Sequence, residues 1–343
     1  MDTVATLPAE ERIRLFQETA NRRGISDPII IEKDFWVCWT LKRLFGLAKI
    51  GPHLLFKGGT TLSKVFRVIH RFSEDVDLSI DREYLGFGGD EAPERSVSRK
   101  QAKKQLEALQ EKCTNTIANE LLPSFRMSAE QVLGKGSNSV WDVTRDPVDP
   151  QTVLFNYPTL PDKAQGLSYI QPMIRIELGA RSDHWPAGDY DIHPYAAEEF
   201  PEYFQAPHIK ARVLEAERTF WEKATILHGE YHRPETASRI DRLSRHYYDL
   251  SRLAIDVVGE KALRNLDLLK QVADHKKLFF PAAWAKYEEA RPGTLRLVPP
   301  ERKLPALRND YEKMKVMFFQ EPPVFDDILV ILKELEDKIN SIN

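Results

Sequence analysis

Asp75 and Asp77, in Asp-Val-Asp-Leu-Ser-Ile, and the Gly58-Gly59 pair upstream of them are the residues of this chain whose types and spacing could do chemistry. Residues 75–80 alternate with period two, so both carboxylates leave one face of a strand while Val76 and Leu78 leave the other. Two adjacent carboxylates repel each other unless a cation lies between them. Hard oxygen donors of this kind suit Mg²⁺ (or Mn²⁺), which takes one or two carboxylates and completes its shell with water and phosphate oxygens. A Gly-Gly turn after a strand leaves backbone N–H groups open to a phosphate, with no side chain in the way. Thr60 and Thr61 would add hydroxyl donors. A phosphate cradle opposite a metal-holding acid pair is the equipment of nucleotidyl transfer. Each half alone is weak, since most Gly-Gly turns only turn and many Asp-x-Asp strands are solvated edges; their order along the chain carries the reading.

The elements that must position these groups follow from patterning. His53–Lys57 reads as a short strand broken by Gly58-Gly59. From Thr60 the period becomes helical, with Leu62, Val65, Phe66 and Ile69 on one face, and Asp75–Ile80 returns as a half-buried strand. Upstream, two helices run from Pro8 to Gly24 and from Pro28 to Gly46, each with Pro at its head and Gly at its end. The apolar coverage of the second suits burial on more than one side. Downstream come a Gly-rich loop, Asp81–Glu94, a long polar helix, Ser96–Leu122, and β-type runs at Ser139–Val143, Thr152–Tyr157 and Tyr169–Leu178. From about Ala211 the pattern stays helical apart from Pro292–Pro305. The expectation is an α+β fold, with an α/β domain over 1–210 and an α-helical domain over 211–343.

The chain has 343 residues, 42% of them hydrophobic, and a formal net charge of −3 from 49 basic and 52 acidic side chains. That excludes a histone-like coat, so any nucleic-acid contact must be a local basic patch. No apolar run approaches the ~18 residues of a membrane span, and the first residues lack the pattern of a secretory signal. Two cysteines, Cys38 and Cys113, exclude a Cys-based zinc site. These features lead us to expect a soluble, cytoplasmic protein.

Further candidates lie in the second half. Lys223 has Phe220 at i−3 and Leu227 at i+4, so it projects from an inward helix face. A buried ammonium needs an anion, and a phosphate would serve, unless the side chain snorkels at the core edge. Asp249 shares a stripe with Arg242, Arg245 and Arg252, which by pattern alone is a surface salt-bridge set. Two antiparallel helices would suffice to bring Lys223 and Asp249 to one end. His228 and His232 lack a third metal ligand. Arg242, Arg245, His246 and Arg252, with Lys100, Lys103 and Lys104, could hold an RNA backbone or be solvated faces; Tyr247 and Tyr248 suit core or base stacking equally.

The segment FKGGTTLSKVFRVIHRFSEDVDLSI (56–80) resembles the first motif of the AbiEii/AbiGii-type, MenT-like nucleotidyltransferase toxins of the DNA polymerase β-like superfamily. EKDFWVCWTLKRLF (32–45), FWEKATILHGE (220–230), SRHYYDL (244–250) and DYEKMKVMFF (310–319) are similar to the family pattern in the same order. The resemblance implies a polymerase β-like mixed sheet flanked by helices and followed by a helical domain that contributes to the active site. It gives Gly58, Gly59 and Thr60 to the triphosphate and Asp75 and Asp77 to the metal. It makes Arg71 and Ser73 the basic and hydroxyl residues ahead of them, Lys223 the family's essential lysine and Asp249 its later essential aspartate. Glu177, in MIRIELGAR, matches the third carboxylate that superfamily members often carry, although a surface cross-strand pair explains it as well. The implied activity is Mg²⁺-dependent transfer of NMP from an NTP to an acceptor hydroxyl, the tRNA 3′ end. The implied partners are an antitoxin protein or kinase encoded separately, with Ser73 a position for silencing modification. Rival readings are a nucleotide-binding pseudoenzyme without turnover and a metal nuclease; the second leaves the Gly-Gly turn unexplained.

Overall fold

The carboxylate of Asp27 accepts a hydrogen bond from the Ile29 N–H at 2.9 Å, and Pro28 occupies the first turn, where its missing donor costs nothing. This cap starts α3 (Pro28–Phe45), which follows α1 (Asp2–Ala5) and α2 (Ala9–Arg23). Every residue from Ile30 to Leu41 is buried, the charged Glu32, Lys33 and Asp34 among them. In the computed structural model, which describes residues 1–135, 141–159, 171–237 and 241–342, the chain divides into two compact units. One is Met1–Val65 with Phe72–Val213; the other is Leu214–Asn343 with the short segment Phe66–Arg71.

The first unit is built on a seven-stranded mixed sheet of order β3-β4-β5-β2-β1-β7-β6. The strands are β1 (Leu54–Lys57), β2 (Val76–Ile80), β3 (Asp142–Arg145), β4 (Thr152–Asn156), β5 (Met173–Gly179), β6 (Ala187–Ile192) and β7 (Ile209–Leu214). Between β1 and β2, which are antiparallel, lies α4 (Gly59–Lys64); β2 runs parallel to β5, and β1 parallel to β7. The other helices are α5 (Arg99–Thr116), α6 (Leu122–Leu133) and α7 (Tyr195–Glu199). Val76 and Leu78 of β2 are buried beside their β5 partners Ile176 and Leu178. Trp36 of α3 stacks on Tyr157 with ring centroids 5.5 Å apart, and Trp39 stacks on Phe155 at 5.5 Å. Offset aromatic pairs of this kind bury large apolar area and fix the angle of helix to sheet.

The second unit is helical: α8 (Ala216–His232), α9 (Ser244–Ile255), α10 (Val257–Leu263), α11 (Leu266–Phe279), α12 (Leu304–Met314) and α13 (Phe325–Asn340). Helix α8 buries Phe220, Trp221, Ala224 and Leu227, and α9 to α11 all pack on it. The N-terminal donors of α9 are satisfied across the fold, because the Asp310 carboxylate accepts from the Arg242 and Ser244 N–H groups at 2.8 Å each.

Several expectations are corrected. The helix read from Thr60 to Ile69 stops at Lys64, and Arg67 has φ +55°. The apolar residues after Lys64 serve the second unit, where His70 donates its N–H to the Tyr248 hydroxyl and accepts from the Phe319 N–H. The long helix passes through a π turn (Ile117–Leu121) and continues to Leu133. Strands β6 and β7 were not foreseen. Residues 139–140 and 169–170, assigned to strands, lie outside the described residues.

Candidate active site

Gly58 lies between β1 and α4 with φ +86° and ψ −162°, a conformation that essentially only glycine adopts. A Cβ there would sit 2.0 Å from Asp77 Oδ2 and 2.7 Å from its Cγ. The glycine therefore makes room for the Asp77 carboxylate, which closes over the turn. Thr60 and Thr61 are buried, and their hydroxyl protons are committed internally: Thr60 donates to the Asp75 carbonyl at 2.5 Å and to the Ser73 carbonyl at 3.3 Å, and Thr61 to the Gly58 carbonyl at 2.8 Å. They brace the turn and tie it to the segment that leads into β2. Ser73 and Asp75 are each 9% exposed.

Asp77 is in register with Lys57 on one side and Glu177 on the other, so the three side chains share a face of the sheet. Arg175 lies on that face too. Burial works against its charge, but the hydrogen bond it donates to Asp146 and the negative charges of Asp146, Glu177 and Asp75 hold its proton more tightly than usual. Its Nη1 is 2.7 Å from Asp146 Oδ2 and its Nε 3.8 Å from Glu177 Oε1. A cation thus sits in the acidic row and moderates the repulsion between its members. Neither Lys57 nor Arg175 was singled out from sequence; the signal was available in their strand parity.

In the second unit α8 and α9 bring Lys223 and Asp249 together. Lys223 Nζ donates to Asp249 Oδ2 at 2.7 Å, and Arg71 closes on the same carboxylate with both Nε and Nη2 at 2.8 Å. Asp249 is fully buried, so the surface salt bridge expected from its stripe becomes an internal one. Burial opposes its charge, yet Arg71 and Lys223 hold its carboxyl well below the usual range. Burial pushes the Lys223 ammonium down; Asp249 opposes that, and Arg71 and Arg245 add to it. The three side chains carry two positive charges against one negative, a cluster that still attracts an anion. His246, one turn before Asp249, is driven neutral by burial and by these cations.

Residues 39–330 match the family described as nucleotidyl transferase AbiEii toxin of a type IV toxin–antitoxin system. The chain belongs to the AbiEii family. It is therefore a nucleotidyltransferase toxin, whose substrate is an NTP and whose partner is an antitoxin. A solved structure, MenT4, a nucleotidyltransferase toxin from Mycobacterium tuberculosis H37Rv, is similar over 94% of this chain and 97% of its own, at 13% identity and a TM-score of 0.39. A search of curated proteins found no match.

Other parts of this AbiEii chain are structural. Tyr247 and Tyr248 are core. His228 accepts from the Arg296 N–H at Nδ1, and its Nε2 lies 3.1 Å from the Lys286 carbonyl, which leaves it no part in metal binding. No helix among the described residues is long and apolar enough to cross a membrane. Among the described residues no three His, Cys, Asp or Glu side chains are placed to hold a metal together. The Asp75–Asp77 pair nonetheless has the right chemistry for Mg²⁺, which accepts two carboxylates and fills its octahedron with water and phosphate oxygens.

Proposed function

We propose that this toxin transfers a nucleoside monophosphate from an NTP to the 3′ hydroxyl of tRNA, using Mg²⁺ held by Asp75 and Asp77. The observation that carries the reading of the turn is the Asp77 carboxylate closed over Gly58, where an added Cβ would meet it. Bound there, Mg²⁺ would neutralise phosphate charge and lower the pKa of the attacking hydroxyl. The Gly58-Gly59 backbone receives the triphosphate. Glu177, one strand from Asp77, is the outer acid of the same face. Within the second unit Lys223 and Arg71 form a net positive cluster suited to a phosphate anion, and Asp249 fixes both cations. In the reaction the acceptor oxygen forms a bond to the α-phosphorus. The α–β P–O bond breaks with its electrons going to pyrophosphate, and the hydroxyl proton passes to solvent. The tRNA acceptor and the metal rest on the resemblance of 56–80 and on the donor chemistry.

The test is incubation with each labelled NTP and total tRNA in Mg²⁺. Labelled RNA that disappears with Asp75→Ala supports the reading. Fragmented RNA, or NTP bound but unchanged after long incubation, refutes it.

A further inference from the structure

Glu32, Lys33 and Asp34 stand in the first two turns of α3, and all three are buried, with Lys33 and Asp34 each 2% exposed. Lys33 Nζ lies 2.9 Å from Glu74 Oε2, with both side chains out of solvent. Glu74 immediately precedes Asp75. Asp34 Oδ1 lies 2.6 Å from Lys64 Nζ, and its Oδ2 accepts from the Tyr195 N–H at 2.7 Å. Lys64 is the last residue of α4, the helix that Gly59 begins, and its ammonium stands 3.6 Å from the centre of the Tyr195 ring. Neighbouring residues of one rigid helix therefore hold the approach to the acid strand and the far end of the helix behind the turn. The Thr60 hydroxyl joins these two held segments to each other.

Buried ion pairs are a poor way to gain stability, because desolvation consumes most of the Coulombic attraction and a well-packed apolar pair does as well. They do supply a single satisfying geometry, since each charge is compensated only at one distance and direction. From this we infer that Lys33 and Asp34 are positioning residues, Lys33 setting Asp75 through Glu74 and Asp34 setting the Gly58-Gly59 turn through Lys64. The inference rests on the metal reading above and adds to it the helix that keeps the acid pair and the turn in register.

The experiment compares wild type, Lys33→Met, the apolar pair Lys33→Met/Glu74→Met, the reversed pair Lys33→Glu/Glu74→Lys, and Asp75→Ala. Three readouts are taken on the full chain: urea unfolding, Mn²⁺ binding by EPR without nucleotide, and kcat and KM for nucleotide transfer. Lys33→Met removes the ammonium that faces Glu74 Oε2 and destabilises. The apolar pair unfolds at a urea concentration no lower than wild type, yet its Mn²⁺ Kd rises and its kcat falls by about tenfold or more, while KM for NTP changes less. The reversed pair recovers part of both losses. An apolar pair with wild-type Mn²⁺ affinity and kcat overturns the proposal, and so does one that does not fold, which would make the ion pair a stability device. If wild type binds Mn²⁺ but transfers nothing, the transfer reading fails while the Mn²⁺ comparison still decides the positioning claim. If Asp75→Ala binds Mn²⁺ as wild type does, both fall.

Discussion

Replacing Gly58 by alanine tests the site at the point where backbone and chemistry meet. The backbone at φ +86°, ψ −162° costs a non-glycine residue roughly 1–3 kcal/mol. The new Cβ would also meet Asp77 at Oδ2 (2.0 Å), Cγ (2.7 Å) and Cβ (3.0 Å). A contact reaching Asp77 Cβ cannot be relieved by turning the carboxylate alone, so crowding adds about 1–3 kcal/mol if Asp77 stays. If Asp77 swings away only its 3.0 Å Cβ contact remains of that term, but the acid has left its place. Gly58→Ala should therefore lower unfolding free energy in urea by about 2–6 kcal/mol in the first case and about 1–3 in the second. In both, nucleotide transfer falls about a hundredfold or more, as expected when a reacting group is misplaced by an ångström. A double-mutant cycle with Asp77→Ala separates the terms: without the carboxylate, alanine at 58 costs only the backbone strain. A Gly58→Ala protein that transfers nucleotide at the wild-type rate refutes the claim that this glycine exists to admit Asp77.

Asp249→Asn leaves Arg71 and Lys223 buried without their shared counter-charge and should cost about 3–5 kcal/mol in urea unfolding. Because the Asp249 carboxyl is held below its ordinary value of 3.8, its contribution is complete above that pH and is lost as pH falls through the lower folded value. The urea midpoint of wild type should accordingly drop in acid more steeply than that of Asp249→Asn. The Lys223 ammonium is depressed from 10.5, so transfer should fail at an alkaline pH below that of a free lysine. Asp249→Asn, by removing the charge that holds the proton, should move this alkaline limb lower still in a pH–rate profile. Stripping divalent ions with EDTA should abolish transfer and Mg²⁺ should restore it, with no change in RNA length other than the added nucleotide.

Short-range patterning exposed most of what positions the acid pair. Period-two alternation placed Asp75–Ile80 as a strand, and Pro28 with Gly46 bracketed α3; α3 is where it was expected, and the strand begins one residue later, at Val76, with Asp75 just ahead of it. The alternation of Ile209, Ala211 and Val213 with exposed Lys210 and Arg212 marks β7 equally well, but the long helical stretch beyond it masked the signal. The polar β6 lies at an edge of the sheet, where a strand needs little apolar sequence. What could not be read was tertiary. The helical spacing of Leu62, Val65, Phe66 and Ile69 is genuine, yet the helix ends at Lys64 because the next residues are bound elsewhere. Asp249 looked solvated because its stripe is basic, and nothing local says that Arg71, 178 positions away, would enclose it. The hydroxyls of Thr60 and Thr61 are ambiguous in the same way: a donor beside a turn serves a ligand or the turn itself, and only the position of the Asp75 and Gly58 carbonyls decides.

Several of the buried charges of this protein border its motifs. Glu74 and Lys64 flank the acid strand and the turn helix, each matched to a residue of α3; Asp249 holds Lys223 and Arg71. Apolar residues at these places would pack as stably and tolerate drift, whereas each ion pair here is short and enclosed, and penalises drift from its geometry through uncompensated charge. On the proposed metal reading, the two like-charged carboxylates need such restraint, because their repulsion pushes them apart without a cation. The fold answers that repulsion with Arg175 on the same face and with the Thr60 bond to the Asp75 carbonyl. Relieving the restraint without loss of folding should therefore free the acids to separate, and divalent-ion affinity should register the change before stability does.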